Sequence, residues 1–302
     1  MTGYIAGDRL RTVYGAVLLT FVGAVVGLGL DVMSPDLPGA EPMTLEDAVD
    51  AVAMLGFRVL GAALVRRRVA EGLGLALLLL AALSALNYLL SGIAAAIADG
   101  EPDPPAAAQL LSLAAEAAFI ATFFLFVIAP MLLFPTGRLP SRRWRWPAGA
   151  VAVGCVATML SVLLAPGPVD EDNPAWGDNP IGIAALDGVV DSLELIGIVC
   201  LALGVVTGLA AFAVRWIRYR GARRRQLVWF TLSVVVLVAG LLTEFGGSVA
   251  VEVVTALAIF GSVFVGMGWP LLGPLGRAAE AADRRQEATS LSVDSQSVSS
   301  PM

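Results

Sequence analysis

Long apolar runs recur along the whole chain and constrain its fold more than any other feature. A helix needs about 20 mostly apolar residues to cross the ~30 Å hydrocarbon core of a bilayer. Runs of this kind alternate with polar segments from one end of the sequence to the other. We therefore predict an all-α fold, a polytopic integral membrane helical bundle with about eight transmembrane helices. The predicted spans are residues 13–30, 48–65, 72–97, 108–134, 147–165, 189–214, 227–243 and 249–272.

The last two runs form one apolar stretch, from residue 227 to residue 272. A single helix of that length would measure about 69 Å at 1.5 Å per residue, which is far longer than a bilayer is thick. We expect the stretch to break at residues 244–248, where a glutamate and two glycines permit a tight turn. Seven spans is the alternative count. The first run is longer than the apolar core of a signal peptide, and we interpret it as an uncleaved signal anchor.

Composition supports the membrane interpretation and excludes several kinds of chemistry. The chain is 58% hydrophobic and 15% charged, whereas about 25% of the residues of a soluble domain are charged. It contains no histidine and only two cysteines. The absence of histidine removes imidazole-based metal sites, nucleophile–histidine pairs and any phospho-accepting histidine. We expect no cofactor, no metal and no enzymatic activity.

Charges are sorted between alternate loops. Every basic residue is an arginine, and eighteen of the 19 lie in the amino-terminal segment, three loops and the tail. The intervening loops are acidic. Since basic residues in short loops mark the cytoplasmic side, we predict that both termini are cytoplasmic. The predicted organisation is a cytoplasmic segment (1–12), a transmembrane domain (13–272) and a largely disordered cytoplasmic tail (273–302).

Three polar residues fall inside predicted spans, where an ionisable group is costly and usually faces a partner or a wet cavity. Arg58, Asn87 and Glu116 each lie about 12–15 Å from the predicted outer surface. We expect Arg58 and Glu116 to pair, with Asn87 beside them, between the second, third and fourth helices. The sequence leaves open whether this intramembrane cluster fixes helix order or forms a polar pocket open to the outside.

The loop after the fourth span carries the most distinctive sequence, Leu133-Phe-Pro-Thr-Gly-Arg-Leu-Pro-Ser-Arg-Arg-Trp-Arg-Trp146. Its prolines and glycine end the helix and turn the chain. Arginines bind anionic headgroups and tryptophans favour the membrane interface. We predict that this loop and a second arginine cluster contact lipid or a cytoplasmic partner. The residues concerned are Arg138, Arg142, Arg143, Trp144, Arg145, Trp146, Arg223, Arg224 and Arg225.

Two G-x-x-x-G pairs, Gly23/Gly27 and Gly204/Gly208, lie in the first and sixth spans. Such pairs let helix backbones approach closely in a membrane. Packing within the chain is the preferred interpretation, and a homodimer face is the alternative.

Three segments carry a family resemblance. The loop Leu133–Trp144 resembles an "LFPtGrLPs-RW" loop in the multi-spanning membrane regions of sensor histidine kinases of high-GC bacteria. The segment Val214–Trp229 is similar to that family's "vRfrrarG-eRqQLkW" connection, and Asp178–Gly182 to its "NPlG" element. The resemblance extends over roughly residues 50–270 and implies the topology of an input module. Because the chain has no histidine and only a short segment follows the last span, we expect a stand-alone relative without the kinase domains.

We therefore predict a non-enzymatic sensory or regulatory membrane protein of signal-transduction type, with an unknown ligand and a cytoplasmic signalling partner. A small-molecule or ion transporter is the alternative, since charged residues at depth are equally natural there. Against transport, no pair of Gly/Pro-broken helices recurs in matching halves. Nucleic-acid binding is not expected, because the net charge is −6 and the arginines are dispersed.

Overall fold

The computed structural model describes residues 2–34, 45–101, 103–169, 176–243, 265–274 and 276–278, together with residues 261 and 281. Within these ranges the chain is helical and its β-structure is limited to one isolated bridge, between Pro168 and Asp178. The described helices are α1 (Thr2–Val32), α2 (Leu45–Arg67), α3 (Glu71–Ala98), α4 (Ala106–Leu133), α5 (Arg145–Leu164), α6 (Asp187–Arg218) and α7 (Gly221–Thr243).

Five helical segments in the described ranges are long and apolar enough to cross a membrane, with mean hydropathies of 2.0 to 2.5. The all-α membrane bundle predicted from the sequence is confirmed at this level, although eight spans are not established. Of the three further predicted spans, two coincide with α2 and α7. The third lies largely outside the described residues, of which 265–272 are helical. The five segments are Tyr14–Val32, Glu71–Ala98, Ala106–Leu133, Arg142–Leu164 and Ala184–Arg218.

Side-chain exposure follows the pattern expected of a protein surrounded by lipid. Large apolar side chains face outward, with Leu19 74% exposed and Leu195 62% exposed, while Arg58 is only 2% exposed. A soluble protein rarely leaves such apolar surface uncovered. In hydrocarbon the same surface carries no penalty, whereas polar groups must find partners inside the bundle.

Several helix boundaries differ from the predicted spans; among them, α7 begins at Gly221, six residues before its predicted span, and α6 extends to Arg218, four residues beyond its own. Helix α1 begins at Thr2, so the helix extends through the segment predicted to precede the first span. Helix α5 begins at Arg145, directly after a short 3-10 turn formed by Arg142–Trp144. Pro147 is tolerated because the first backbone N–H groups of a helix have no partner within the helix. Helix α7 ends at Thr243, and the break predicted at 244–248 lies outside the described residues.

The chain divides into two compact units, residues 1–213 and 214–302. In the first unit α3 packs against α1, α2 and α4, and α4 also packs against α5. Glycines bring α3 close to two of these helices. A Cβ atom at Gly61 of α2 would lie 2.8 Å from the carbonyl oxygen of Gly74 in α3, and one at Gly27 of α1 would collide with the carbonyl of Tyr88. Close backbone approach therefore replaces large side chains at these two crossings.

Helices α4, α5 and α6 share a second set of contacts in the same unit. Phe124, Ile128 and Leu132 of α4 form a buried cluster with Val151 of α5 and Ala211 of α6. The second G-x-x-x-G pair belongs to this packing. A Cβ atom at Gly204 would lie 2.5 Å from Val151 Cγ2, and one at Gly208 would lie 3.0 Å from Met131 Cβ. Three glycines of the two predicted pairs, Gly27, Gly204 and Gly208, therefore lie in close contacts within the chain.

In the second unit, α7 lies against the helical residues 265–272. The Gln226 side chain donates a 2.8 Å hydrogen bond to the carbonyl of Pro270, and Leu227 and Met267 are fully buried. A Cβ atom at Gly266 would collide with the Ser233 side chain. The glutamine of the Gln226-Leu-Val-Trp229 motif therefore satisfies a backbone carbonyl within the helical packing.

Candidate functional site

Arg58 and Arg215 are the two buried charged residues among those that the structure describes, and Arg58 links α2 to α3. Its Nη2 atom donates a 3.2 Å hydrogen bond to the backbone carbonyl of Ala81. Tyr88 follows Ala81 by seven residues, or two turns, and therefore lies on the same face of α3. The buried Nε donor has no hydrogen-bond acceptor among the described residues. A guanidinium held largely by a neutral carbonyl is costly to bury, which makes this position sensitive to the packing of α3.

Asn87 links α3 to α4 by the same kind of contact. Its Nδ2 atom donates a 2.9 Å hydrogen bond to the carbonyl of Ala115. Ala81 and Asn87 are about 9 Å apart along α3, so the contacts of Arg58 and Asn87 lie at different levels of the bundle. Both contacts join a side chain to a neighbouring backbone, and they fix α3 between α2 and α4.

Glu116 directly follows the residue that Asn87 contacts. Ala115 is buried, whereas the Glu116 side chain is exposed. Successive side chains of a helix point about 100° apart, so the side chains of Ala115 and Glu116 lie on different faces of α4. The structure therefore brings Asn87 to the level of Glu116, and the predicted ion pair between Arg58 and Glu116 stays a prediction. The edge contact between Phe57 and Phe126, with ring centroids 5.9 Å apart, joins α2 to α4 directly.

The turn between α2 and α3 contacts the segment that connects α4 to α5, residues 134–146, here named the arginine loop. Gly137 has a positive φ of 71°, and a Cβ atom there would lie 2.5 Å from the carbonyl carbon of Ala70. On the other side of this contact, a Cβ atom at Gly72 would collide with the carbonyl of Gly137. The glycine of the Leu-Phe-Pro-Thr-Gly motif is thus required both by its conformation and by this close approach.

The arginine loop presents its charges outward. Arg138, Arg142, Arg143 and Arg145 are exposed, and Trp146 is 83% exposed. Trp144 instead packs against the buried cluster of α4, α5 and α6. The predicted interface residues of this loop therefore divide into one anchoring tryptophan and a set of exposed side chains.

The second predicted arginine cluster lies at the start of α7. Arg224 and Arg225 are exposed and Arg223 is half-buried. The Arg224 guanidinium lies 5.5 Å from the centroid of the Trp216 ring, a cation–π contact within the second unit. Arg224 therefore has a packing partner as well as an exposed charge.

Asn179 connects the end of α5 to the loop that follows it. In the sequence this residue stood out only as part of the Asn-Pro-Ile-Gly motif. Its Nδ2 atom donates hydrogen bonds of 3.1 and 2.8 Å to the carbonyls of Leu163 and Ala165, at the end of α5. Its Oδ1 atom accepts a 3.0 Å bond from the Ile181 N–H. One side chain therefore satisfies carbonyls that the end of a helix leaves open and fastens the following loop to α5.

No family model, curated protein or solved structure matches this chain.

Proposed function

We propose that this chain is a membrane protein with about eight spans and cytoplasmic termini, and that it acts as a non-enzymatic sensory or regulatory module. The five apolar segments support membrane insertion. The sorting of arginines and carboxylates to alternate loops supports the orientation. The loop motifs similar to those of sensor kinase input regions support a role in signalling.

The observation that carries this proposal is the position of α3 in the first unit. Helix α3 accepts the Arg58 bond at Ala81 and donates the Asn87 bond to α4, both within predicted spans. At its beginning, Gly72 contacts Gly137 in the arginine loop. A shift of α3 relative to α2 and α4 therefore changes the support of a loop that is predicted to face the cytoplasm. A packed, rigid element of this kind can carry coupling between two sites.

In this mechanism a ligand that binds from the outer side or within the membrane favours one packing of α3. A ligand shifts such an equilibrium only through a difference in its affinity for the two states. The buried guanidinium of Arg58, with its open Nε donor, is the group whose environment changes most when α3 moves. The arginine loop and Arg223–Arg225 then present the change to a cytoplasmic partner.

Site-specific photo-cross-linking in cells tests the proposal. A photoreactive amino acid replaces the exposed Ser141, which precedes the 3-10 turn of the arginine loop, and a second replaces the exposed Ile181 as the matched control in the predicted outer loop. We expect an adduct with a cytoplasmic signalling protein from Ser141 and none from Ile181. Replacing Asn87 with leucine should change the yield of the Ser141 adduct about two- to thirtyfold. This factor corresponds to the coupling energies of about 0.5–2 kcal/mol that mutations between two coupled sites typically change.

Thr122→Val is the control for the Asn87 substitution, because Thr122 is a buried hydroxyl of α4 whose hydrogen bond stays within its own helix. We expect this variant to leave the adduct yield unchanged. Two results together would contradict the signalling role and favour transport. These are the absence of any adduct at Ser141, and saturable uptake of a solute by proteoliposomes that the Arg58→Ala substitution abolishes.

A further inference from the structure

An apolar groove runs along the first unit between α3, α4 and α5. Phe124 and Ile128 form its floor, Leu79 and Leu83 of α3 form one wall, and Ala148 and Ala152 of α5 form the other. Every residue that lines the groove is apolar. In a bilayer an apolar cleft open to the side does not fill with water, so a hydrocarbon chain is its natural occupant.

The length and position of the groove fit one leaflet. Its lining extends along α4 from Ala121 to Leu133, about 18 Å at 1.5 Å per residue. Half of the ~30 Å hydrocarbon core is about 15 Å. The groove ends beside the arginine loop, since Leu139 belongs to its lining. A chain lying in it would therefore reach from the middle of the membrane to this loop.

A second depression lies at the start of α5, lined by Arg142, Arg143, Arg145, Trp146 and Gly149. Arg145 lies three residues before Ala148 and seven before Ala152, so these three residues share one face of α5. The first backbone N–H groups of α5 add a partial positive charge at the same end. Positive charge thus lies at one end of the groove.

We propose that the groove and the depression form one specific site for an anionic phospholipid of the cytoplasmic leaflet. The lipid phosphate binds Arg142, Arg143 and Arg145, and one acyl chain occupies the groove lined by Ala148 and Ala152. This site requires the chain to insert in the predicted orientation, but it is independent of which partner or ligand the protein serves. It also differs from general attraction to the headgroup layer, because it needs both the arginines and the open groove.

Native mass spectrometry of the full chain, released from detergent micelles and titrated with phosphatidylglycerol or phosphatidylcholine, measures this binding. We expect one phosphatidylglycerol per chain to bind at least about tenfold more tightly than phosphatidylcholine, since each arginine near an anionic headgroup contributes roughly fivefold. Replacing Arg142, Arg143 and Arg145 together with glutamine should remove this preference. The same replacement at Arg223, Arg224 and Arg225 changes the net charge equally and should leave the preference intact.

A second pair of variants tests the groove while leaving every charge in place. Ala152→Phe fills the groove from an exposed position, whereas Val153→Phe adds the same ring at the neighbouring position, which is 61% exposed and does not line the groove. We expect Ala152→Phe to weaken phosphatidylglycerol binding at least about fivefold and Val153→Phe to leave it unchanged. Thermal unfolding of both variants establishes that each is folded.

Three outcomes would overturn the proposal. If both triple arginine variants lost phosphatidylglycerol binding equally, the binding would be general electrostatic attraction and not a specific site. If phosphatidylglycerol and phosphatidylcholine bound equally tightly, the arginines would not select an anionic headgroup. Dimers in the mass spectra that Ala152→Phe dissociates would assign the groove to a second copy of this chain.

Discussion

The side-chain amide of Asn87 in α3 donates a 2.9 Å hydrogen bond to the backbone carbonyl of Ala115 in α4. The carbonyl of a regular helix already accepts one bond within its own helix, and the second lone pair is used here. A polar contact between helices in a membrane therefore needs only one polar side chain.

Replacing Asn87 with leucine should lower the free energy of unfolding in mixed detergent micelles by about 0.6 kcal/mol and by no more than about 1.7 kcal/mol, the average and the largest values measured for hydrogen bonds between membrane helices. Thr122→Val is the control, since its hydroxyl bonds to Ala118 in the same helix. A loss no larger for Asn87→Leu than for Thr122→Val would show that the contact between helices contributes no stability.

Gly27 and Gly29 form a matched pair for the contact between α1 and α3. A Cβ atom at Gly27 would collide with the Tyr88 backbone, whereas one at Gly29 meets nothing within 4 Å. We expect Gly27→Ala to cost about 1–3 kcal/mol of unfolding free energy through overpacking. Gly29→Ala should be neutral or stabilise by up to about 1 kcal/mol, because alanine favours helix. Similar effects in chemical or thermal unfolding would contradict this packing.

Gly137 and Gly100 separate backbone conformation from close contact. Both have positive φ angles, of 71° and 74°, but only Gly137 lies against another segment, at Ala70. Alanine at either position should cost about 1–2 kcal/mol for the left-handed conformation. We expect Gly137→Ala to cost a further 1–3 kcal/mol or so by displacing the turn between α2 and α3.

Protease accessibility of the arginine loop provides the readout for this pair. Gly137→Ala should increase tryptic cleavage after Arg138, and Gly100→Ala should not. Equal cleavage of the two variants would mean that the contact between Ala70 and Gly137 does not hold the loop.

Asn179→Ala should destabilise the loop that follows α5. The substitution leaves the carbonyls of Leu163 and Ala165 without their side-chain donor, at a cost of about 1–3 kcal/mol when such groups are partly buried. Gln109→Ala removes a single bond to the carbonyl of Trp176 and serves as the control. Faster hydrogen exchange at residues 177–183 in Asn179→Ala than in Gln109→Ala is the expected result. Unchanged exchange would refute the assignment of Asn179 as the fastening residue.

The helices could be predicted from the sequence because each is determined by the residues of its own apolar run. A run of about 20 apolar residues can satisfy its backbone in a bilayer only as a helix, so α3 and α4 match their predicted spans to within two residues at each end. The helical N-terminus was missed because Thr2 to Thr12 has no apolar periodicity strong enough to predict a helix.

The contacts of the candidate site were less accessible to sequence reasoning. Depth alone indicated that Arg58 and Asn87 would face partners, but these partners are the carbonyls of Ala81 and Ala115. Backbone acceptors leave no mark in a sequence, so these two contacts could not be predicted from it. Likewise, the motif glycine Gly137 indicated a turn, but its contact with Ala70 depends on how two separate loops meet.

The proposed function requires the arginine loop and the loop containing Asp178 to lie on opposite sides of a membrane. Labelling of intact cells with a membrane-impermeant maleimide tests this directly, using Ser141→Cys or Asp178→Cys in a chain whose Cys155 and Cys200 are replaced by alanine. Both target positions are exposed. We predict immediate labelling of Asp178→Cys and labelling of Ser141→Cys only after the membrane is permeabilised. Labelling of both positions in intact cells, or of neither until permeabilisation, would contradict the proposed topology and every functional inference drawn from it.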